Sequence, residues 1–280
     1  MTASSSQPPL RRLAFAGTWY TGDPVRLARE VDELLKDAAP AHLTPTALIA
    51  PHAGLRYSGA IAACSYAALT HRALDTVVLI GPSHYMSFPG AAILREGKVE
   101  TPWGALDIDA SLAETLAGAS PLLTEQRRQA HDREHSLELH LPFLARVQPS
   151  TPIVPILMGD QSRRMAMMLG DVLAGALRGR RAMIAASSDL SHYHDRAVAA
   201  TLDAVVLDAL GGFDPDGLMD ALERNPEHAC GGGPMVAAMQ AARGLGASAG
   251  EVVRYADSGH VSADTSRVVG YVSAVCGVGP

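Results

Sequence analysis

The chain is poor in several things, and each shortage excludes a class of function. Lys and Arg number 23 against 29 Asp and Glu, a formal net charge of -6. There is no basic excess to neutralise a phosphate backbone, which argues against a nucleic-acid binder. No run of 18 or more apolar residues occurs, so no membrane span is expected. The three cysteines, Cys64, Cys230 and Cys276, are far apart. They form neither a disulfide framework nor a paired-cysteine zinc site, and a reducing cytoplasm is the expected compartment. G-x-G-x-x-G, Walker and G-x-S-x-G motifs are absent, which disfavours dinucleotide, nucleotide and serine-hydrolase chemistry. The opening MTASSSQPPLRR has no apolar stretch of a secretory signal. It reads as a disordered arm, residues 1–12, ahead of one domain over 13–280.

What is present is a regular alternation across 280 residues, 48% of them hydrophobic. Helical spacing marks 24–38, 59–69, 111–117, 136–147, 163–177, 195–210 and 234–245. Apolar, β-branched runs mark strands at 47–50, 76–80, 91–94, 153–158, 182–186, 252–255 and 268–275, and 99–108 reads as a hairpin. Strands alternating with helices predict a single α/β domain. Its central sheet is expected to be mixed and largely parallel, flanked by helices.

Eleven histidines are the informative surplus. Five apolar runs end directly in chemically capable clusters. These are Pro51-His52-Ala53-Gly54, Pro82-Ser83-His84, Asp160, Ser188-Asp189-Leu190-Ser191-His192 and Asp257-Ser258-Gly259-His260. In open α/β sheets ligands bind beyond the carboxyl ends of the strands, so parallel neighbours would bring such tips together. Neutral imidazole is the commonest metal ligand. Three donors from three tips can hold one face of an ion and leave the other open, as in non-haem iron sites. Each histidine alone reads more readily as a hydrogen-bonded loop or helix-cap residue; the repetition at strand ends is what favours a site.

The segment His131–His140 contains Glu134, His135, Glu138 and His140 but matches neither H-E-x-x-H nor H-x-x-E-H. Glu134 and Glu138 lie one helical turn apart, which fits a solvated helix face. The alternative is a helix presenting His135 and His140 as acid-base groups or as supports for a metal ligand. Cys230 precedes three glycines and has no base near it in sequence. Trp19-Tyr20 reads as a packing anchor or a substrate platform.

Six stretches in order carry a resemblance: A-G-T-W-Y at 16–20, P-H-A-G at 51–54, G-P-S-H at 81–84, E-H-S-L-E-L-H-L-P-F at 134–143, S-S-D-L-S-H at 187–192 and Y-A-D-S-G-H at 255–260. The chain resembles the Memo family, the B protein of the prokaryotic AmmeMemoRadiSam system, from about residue 13 to 275. That resemblance implies the class III extradiol dioxygenase fold, typified by the B subunit of protocatechuate 4,5-dioxygenase. It implies a metal held by His52, His84 and a donor from the loop after a late strand. Here that loop offers His260, with Asp257 beside it. Iron or copper would suit such a site best, with zinc a further choice. By the same resemblance His192 would be the acid-base residue, with His135 or Asp189 orienting it. The implied functions are a metal-dependent, dioxygenase-like oxidoreductase of unknown substrate, or a module that binds a peptide or anion without turnover. Radical-SAM and AMMECR1-domain proteins are the implied functional associates.

Overall fold

The computed structural model describes residues 9–279. Most of the expected arm lies outside them. Its last part is ordered: Leu10–Arg11 forms a strand paired with Lys98–Val99, and Arg11 is buried.

Among the described residues nine strands make the main sheet. At its centre Thr44–Ala50, Ala182–Ser187, Thr76–Pro82 and Ile153–Met158 run parallel in that spatial order. Every residue of Thr76–Pro82 and Ile153–Met158 is buried. This is the pattern of parallel strands covered on both faces, and it explains why these runs are apolar without alternation. Antiparallel strands complete the sheet. Val268–Val278 pairs with Thr44–Ala50, Ala249–Asp257 pairs with Val268–Val278, and Ala91–Ile93 pairs with Ile153–Met158. The sheet is therefore mixed, with parallel pairing concentrated in the middle. Helices Pro24–Lys36, Leu55–Ala67, Arg163–Leu177, Arg196–Gly211 and Gly232–Gly244 flank it. One continuous apolar core joins sheet and helices.

Two local differences from the sequence reading have clear causes. The helix expected over 136–147 is two pieces, His135–Glu138 and Leu141–Val147. Pro142 has no N–H to donate to the carbonyl four residues back, so the helix breaks and restarts at Leu141 with the proline in its first turn. A helix at Pro215–Arg224 was not foreseen. Its signals are local: the Asp214 side chain caps the backbone N–H of Gly217, and Pro215 opens the first turn.

Glu138 decides how the N-terminal segment sits. Its carboxylate is fully buried and accepts hydrogen bonds from Arg11 (2.6 Å), the backbone N–H of Phe15 (2.7 Å) and the hydroxyl of Tyr20 (2.9 Å). The backbone N–H of Ala14 donates to it as well. The expected solvated face formed by Glu134 and Glu138 is thus not observed: both carboxylates are buried, 1% and 0% exposed. Charges so enclosed persist only with full pairing. Glu138→Ala should therefore lower unfolding free energy by about 3–5 kcal/mol, because it strands the Arg11 guanidinium. A urea denaturation curve measures this, and an unchanged midpoint would contradict the assignment.

Candidate metal centre

The strand order converts sequence tips into a site. His52 lies two residues beyond Thr44–Ala50, and His84 lies two beyond Thr76–Pro82. Between these strands runs Ala182–Ser187, and Ala50 pairs in register with Ser187. The two histidine-bearing loops therefore lean toward each other over the end of the intervening strand. His135, opening the short helix His135–Glu138, completes the group. One nitrogen from each of His52, His84 and His135 lies within 4.8 Å of the others. The His84 and His135 rings stack at 4.3 Å, and His52 meets both edge-on at 5.2 and 5.3 Å.

Burial and hydrogen bonds set the chemistry of these rings. Desolvation holds the His52 pKa well below the usual imidazole range, and repulsion from His84 and His135 adds to it. His135 is pushed down to about 4, by burial first and then by His84. Both are neutral near pH 7, the state that binds metal. Glu134 accepts from His84 Nδ1 at 2.9 Å and from the His84 backbone N–H at 2.6 Å. It also accepts from the backbone N–H of Ser136 at 2.9 Å. Burial works to raise the Glu134 pKa, but these hydrogen bonds outweigh it and hold the carboxyl below its ordinary value. A carboxylate behind an imidazole fixes the ring's tautomer and orientation and raises its basicity as a ligand. His135 Nδ1 is buried and lies 3.4 Å from Glu134 Oε1 without making a hydrogen bond. Three imidazoles, each with a nitrogen within 4.8 Å of the others, make a donor set that fits a nitrogen-binding transition metal.

Asp189 and His192 share this centre. Asp189 Oδ1 accepts from the backbone N–H of His52 at 2.8 Å, and Oδ2 stands 4.0 Å from His52 Nε2. Burial pushes the Asp189 carboxyl up to about 7. His192 faces the same cleft, and desolvation lowers its pKa. The cleft measures about 900 Å³, with Trp19, Tyr57, Tyr193, Arg56 and Arg267 around the three histidines. The Trp19 and His135 rings approach to 4.5 Å, so the segment tied down by Glu138 forms one wall.

His260 does not join the group. Its strand, Ala249–Asp257, points the same way as Thr44–Ala50 but lies beyond Val268–Val278 in the sheet. Four strand spacings separate it from the strand of His84, roughly 19 Å. The His260 ring is 59% exposed, with Nδ1 3.3 Å from Asp257 Oδ1. Asp257 is occupied by Arg196 at 2.7 Å. The group able to offer three donors among the described residues is thus His52, His84 and His135, and the expected third position, His260 or Asp257 in its place, lies outside it. Asp160 also stays apart, accepting from the backbone N–H of Ser162.

Sequence reasoning gave Cys230 no neighbour, yet its Sγ is 3.3 Å from His52 Nε2. The signal lay in the glycines that follow. A Cβ on Gly231 would come within 2.2 Å of the Ser187 carbonyl oxygen, so only glycine lets this turn pass so close under the site. Burial pushes the Cys230 thiol up, so it is protonated in the metal-free chain.

Comparison with known proteins agrees with this architecture. The Memo-like protein family model matches residues 11–275. The chain belongs to the Memo-like family. A MEMO1 family protein of Methanothermobacter thermautotrophicus is 35% identical over 273 residues, covering 94% of this chain and 98% of the relative. One from Methanosarcina acetivorans is 36% identical over 269 residues, with 95% and 98% covered. Among solved structures, an uncharacterized Escherichia coli K12 protein, JW3007, superposes with a TM-score of 0.55 at 15% identity, covering 82% of this chain and 98% of its own. That likeness shows a shared fold. The Memo-like architecture thus matches the single α/β domain expected from the sequence.

Two buried rings near the centre predict a pH response. Burial drives both His131 and His140 down to about 3. In the unfolded chain each protonates near 6.5. Unfolding therefore takes up protons below that pH. The stability conferred by neutral burial is complete above pH 6.5 and is lost progressively as pH falls toward 3. Each ring should contribute about 1.4 kcal/mol per pH unit in that window. Unfolding free energies measured from pH 7 to 4 should show this slope, and His131→Gln should reduce it. An identical slope in that variant would contradict the assignment.

Proposed function

We propose that this Memo-like protein is a metal-dependent, dioxygenase-like redox enzyme. The observation that carries the reading is the convergence of His52, His84 and His135 at the floor of the large cleft. Those three imidazoles would hold one iron or copper ion, with zinc a third choice on the same nitrogen donors. When bound, the ion supplies a redox-active Lewis acid. The remaining roles fall to the chain's own side chains. His192, neutral and facing the cleft, takes a proton from a hydroxyl of the bound substrate at its free ring nitrogen. Asp189, with one oxygen fixed by the His52 and Ala53 backbone, holds or passes a proton at the other. Trp19 and the buried rings restrict water on that side.

A second reading has its own support. Arg56 lies over the Tyr57 ring and Arg267 over the Tyr193 ring, both at the cleft. Neither guanidinium has an acidic partner within ion-pair distance among the described residues. Such a rim suits a peptide or small molecule carrying negative charge, held without turnover.

Elemental analysis of protein purified without a His tag tests the first reading. The wild type should carry about one transition-metal ion per chain. His52→Ala and His135→Ala should lose it, and His260→Ala should keep it. A wild type without metal, or His52→Ala with its full complement, would refute the metal enzyme. Ligand binding that survives chelation would then favour the binding module.

A further inference from the structure

The metal reading needs the His52 lone pair on Nε2, because Nδ1 is engaged by Ser187 Oγ at 2.6 Å and Nε2 is the nitrogen left for an ion. A neutral imidazole carries its proton on either nitrogen, and the partner of the other nitrogen decides which. Behind His52 lies a fully buried chain of polar groups. His52 Nδ1 is 2.6 Å from Ser187 Oγ, and His140 Nε2 is 2.8 Å from the same oxygen. Ser187 Oγ is 2.6 Å from the carbonyl oxygen of Ser136. The Tyr66 hydroxyl is 2.8 Å from His140 Nδ1.

Proton counting gives this chain a single consistent arrangement. Ser187 has one hydroxyl proton, and a carbonyl oxygen can only accept. Ser187 therefore donates to Ser136, and its oxygen accepts from both rings. His140 donates from Nε2, which leaves Nδ1 to accept from the Tyr66 hydroxyl. His52 donates from Nδ1, which leaves Nε2 unprotonated. Any other placement sets two lone pairs against each other, or strands a buried hydroxyl, at a site where water cannot compensate.

We infer that Tyr66, His140 and Ser187 form a tautomer lock that holds the His52 Nε2 lone pair toward the metal position. All three are positioning residues, resting on the metal reading above, and none reaches the ion. Tyr66, Ser187 and His140 are buried to 1% exposure or less. The lock is therefore built before any ion arrives.

Nitrogen-15 NMR of the histidine rings in the metal-free chain reads the lock directly. The wild type should show His52 protonated at Nδ1 and bare at Nε2. His52 protonated at Nε2 would overturn the inference. Ser187→Ala should move protonation toward Nε2 and weaken binding of zinc, used as a spectroscopically silent probe, roughly 10–100-fold. His140→Leu should weaken it in the same sense. His140→Gln, whose amide nitrogen can replace Nε2–H as donor and whose oxygen can accept from Tyr66, should restore most of the affinity. Unchanged zinc affinity in both Ser187→Ala and His140→Leu would overturn the lock. A wild type that binds no zinc refutes the metal assignment alone, since the ring spectrum is read without metal.

Discussion

An imidazole serves as a ligand only when it is neutral and its bare nitrogen faces the ion. On the proposed metal reading, burial and hydrogen bonding at this site meet both conditions. Desolvation and mutual repulsion keep His52 and His135 unprotonated. Hydrogen bonds from the remaining nitrogens settle orientation: Glu134 takes the Nδ1 side of His84, and Ser187 takes the Nδ1 side of His52. Removing either acceptor would leave the ring in place but free to present a proton where a lone pair is needed.

The same economy explains why so much charge is buried near the centre. Glu134 and Glu138 sit one turn apart and face different tasks. Glu134 aligns His84 and caps the short helix that carries His135. Glu138 gathers Arg11, Tyr20 and two backbone N–H groups, and so fixes the segment bearing Trp19. A carboxylate fully removed from water is costly, and here each is saturated with donors. The site thus rests on strand ends and a tethered segment rather than on loose loops, which favours fixed donor geometry.

Much of this was legible in the chain. The apolar runs at 76–80 and 153–158 foretold buried parallel strands, and of the polar strand tips those with His52, His84, Asp189 and His192 meet at one cleft while Asp160 does not. His52, His84, Asp189 and His192 followed from that rule, because strand tips in a parallel core converge. The identity of the third imidazole did not follow. His260 also ends a strand pointing the same way, and only the sheet order, with Val268–Val278 interposed, removes it from the centre. His135 sits in a stretch whose glutamate spacing imitates a solvated helix, and local periodicity carries no information about the distant Arg11 that makes burial of Glu138 tolerable. Cys230 was hidden for a similar reason: its neighbour, His52, is 178 residues away in the chain.

The most direct test of metal binding at the three histidines is an anomalous-difference map from crystals of this protein soaked in iron(II) under anaerobic conditions. One strong peak is expected, bounded by nitrogens of His52, His84 and His135. A peak on His260 and Asp257, or none beside the three rings, would contradict it.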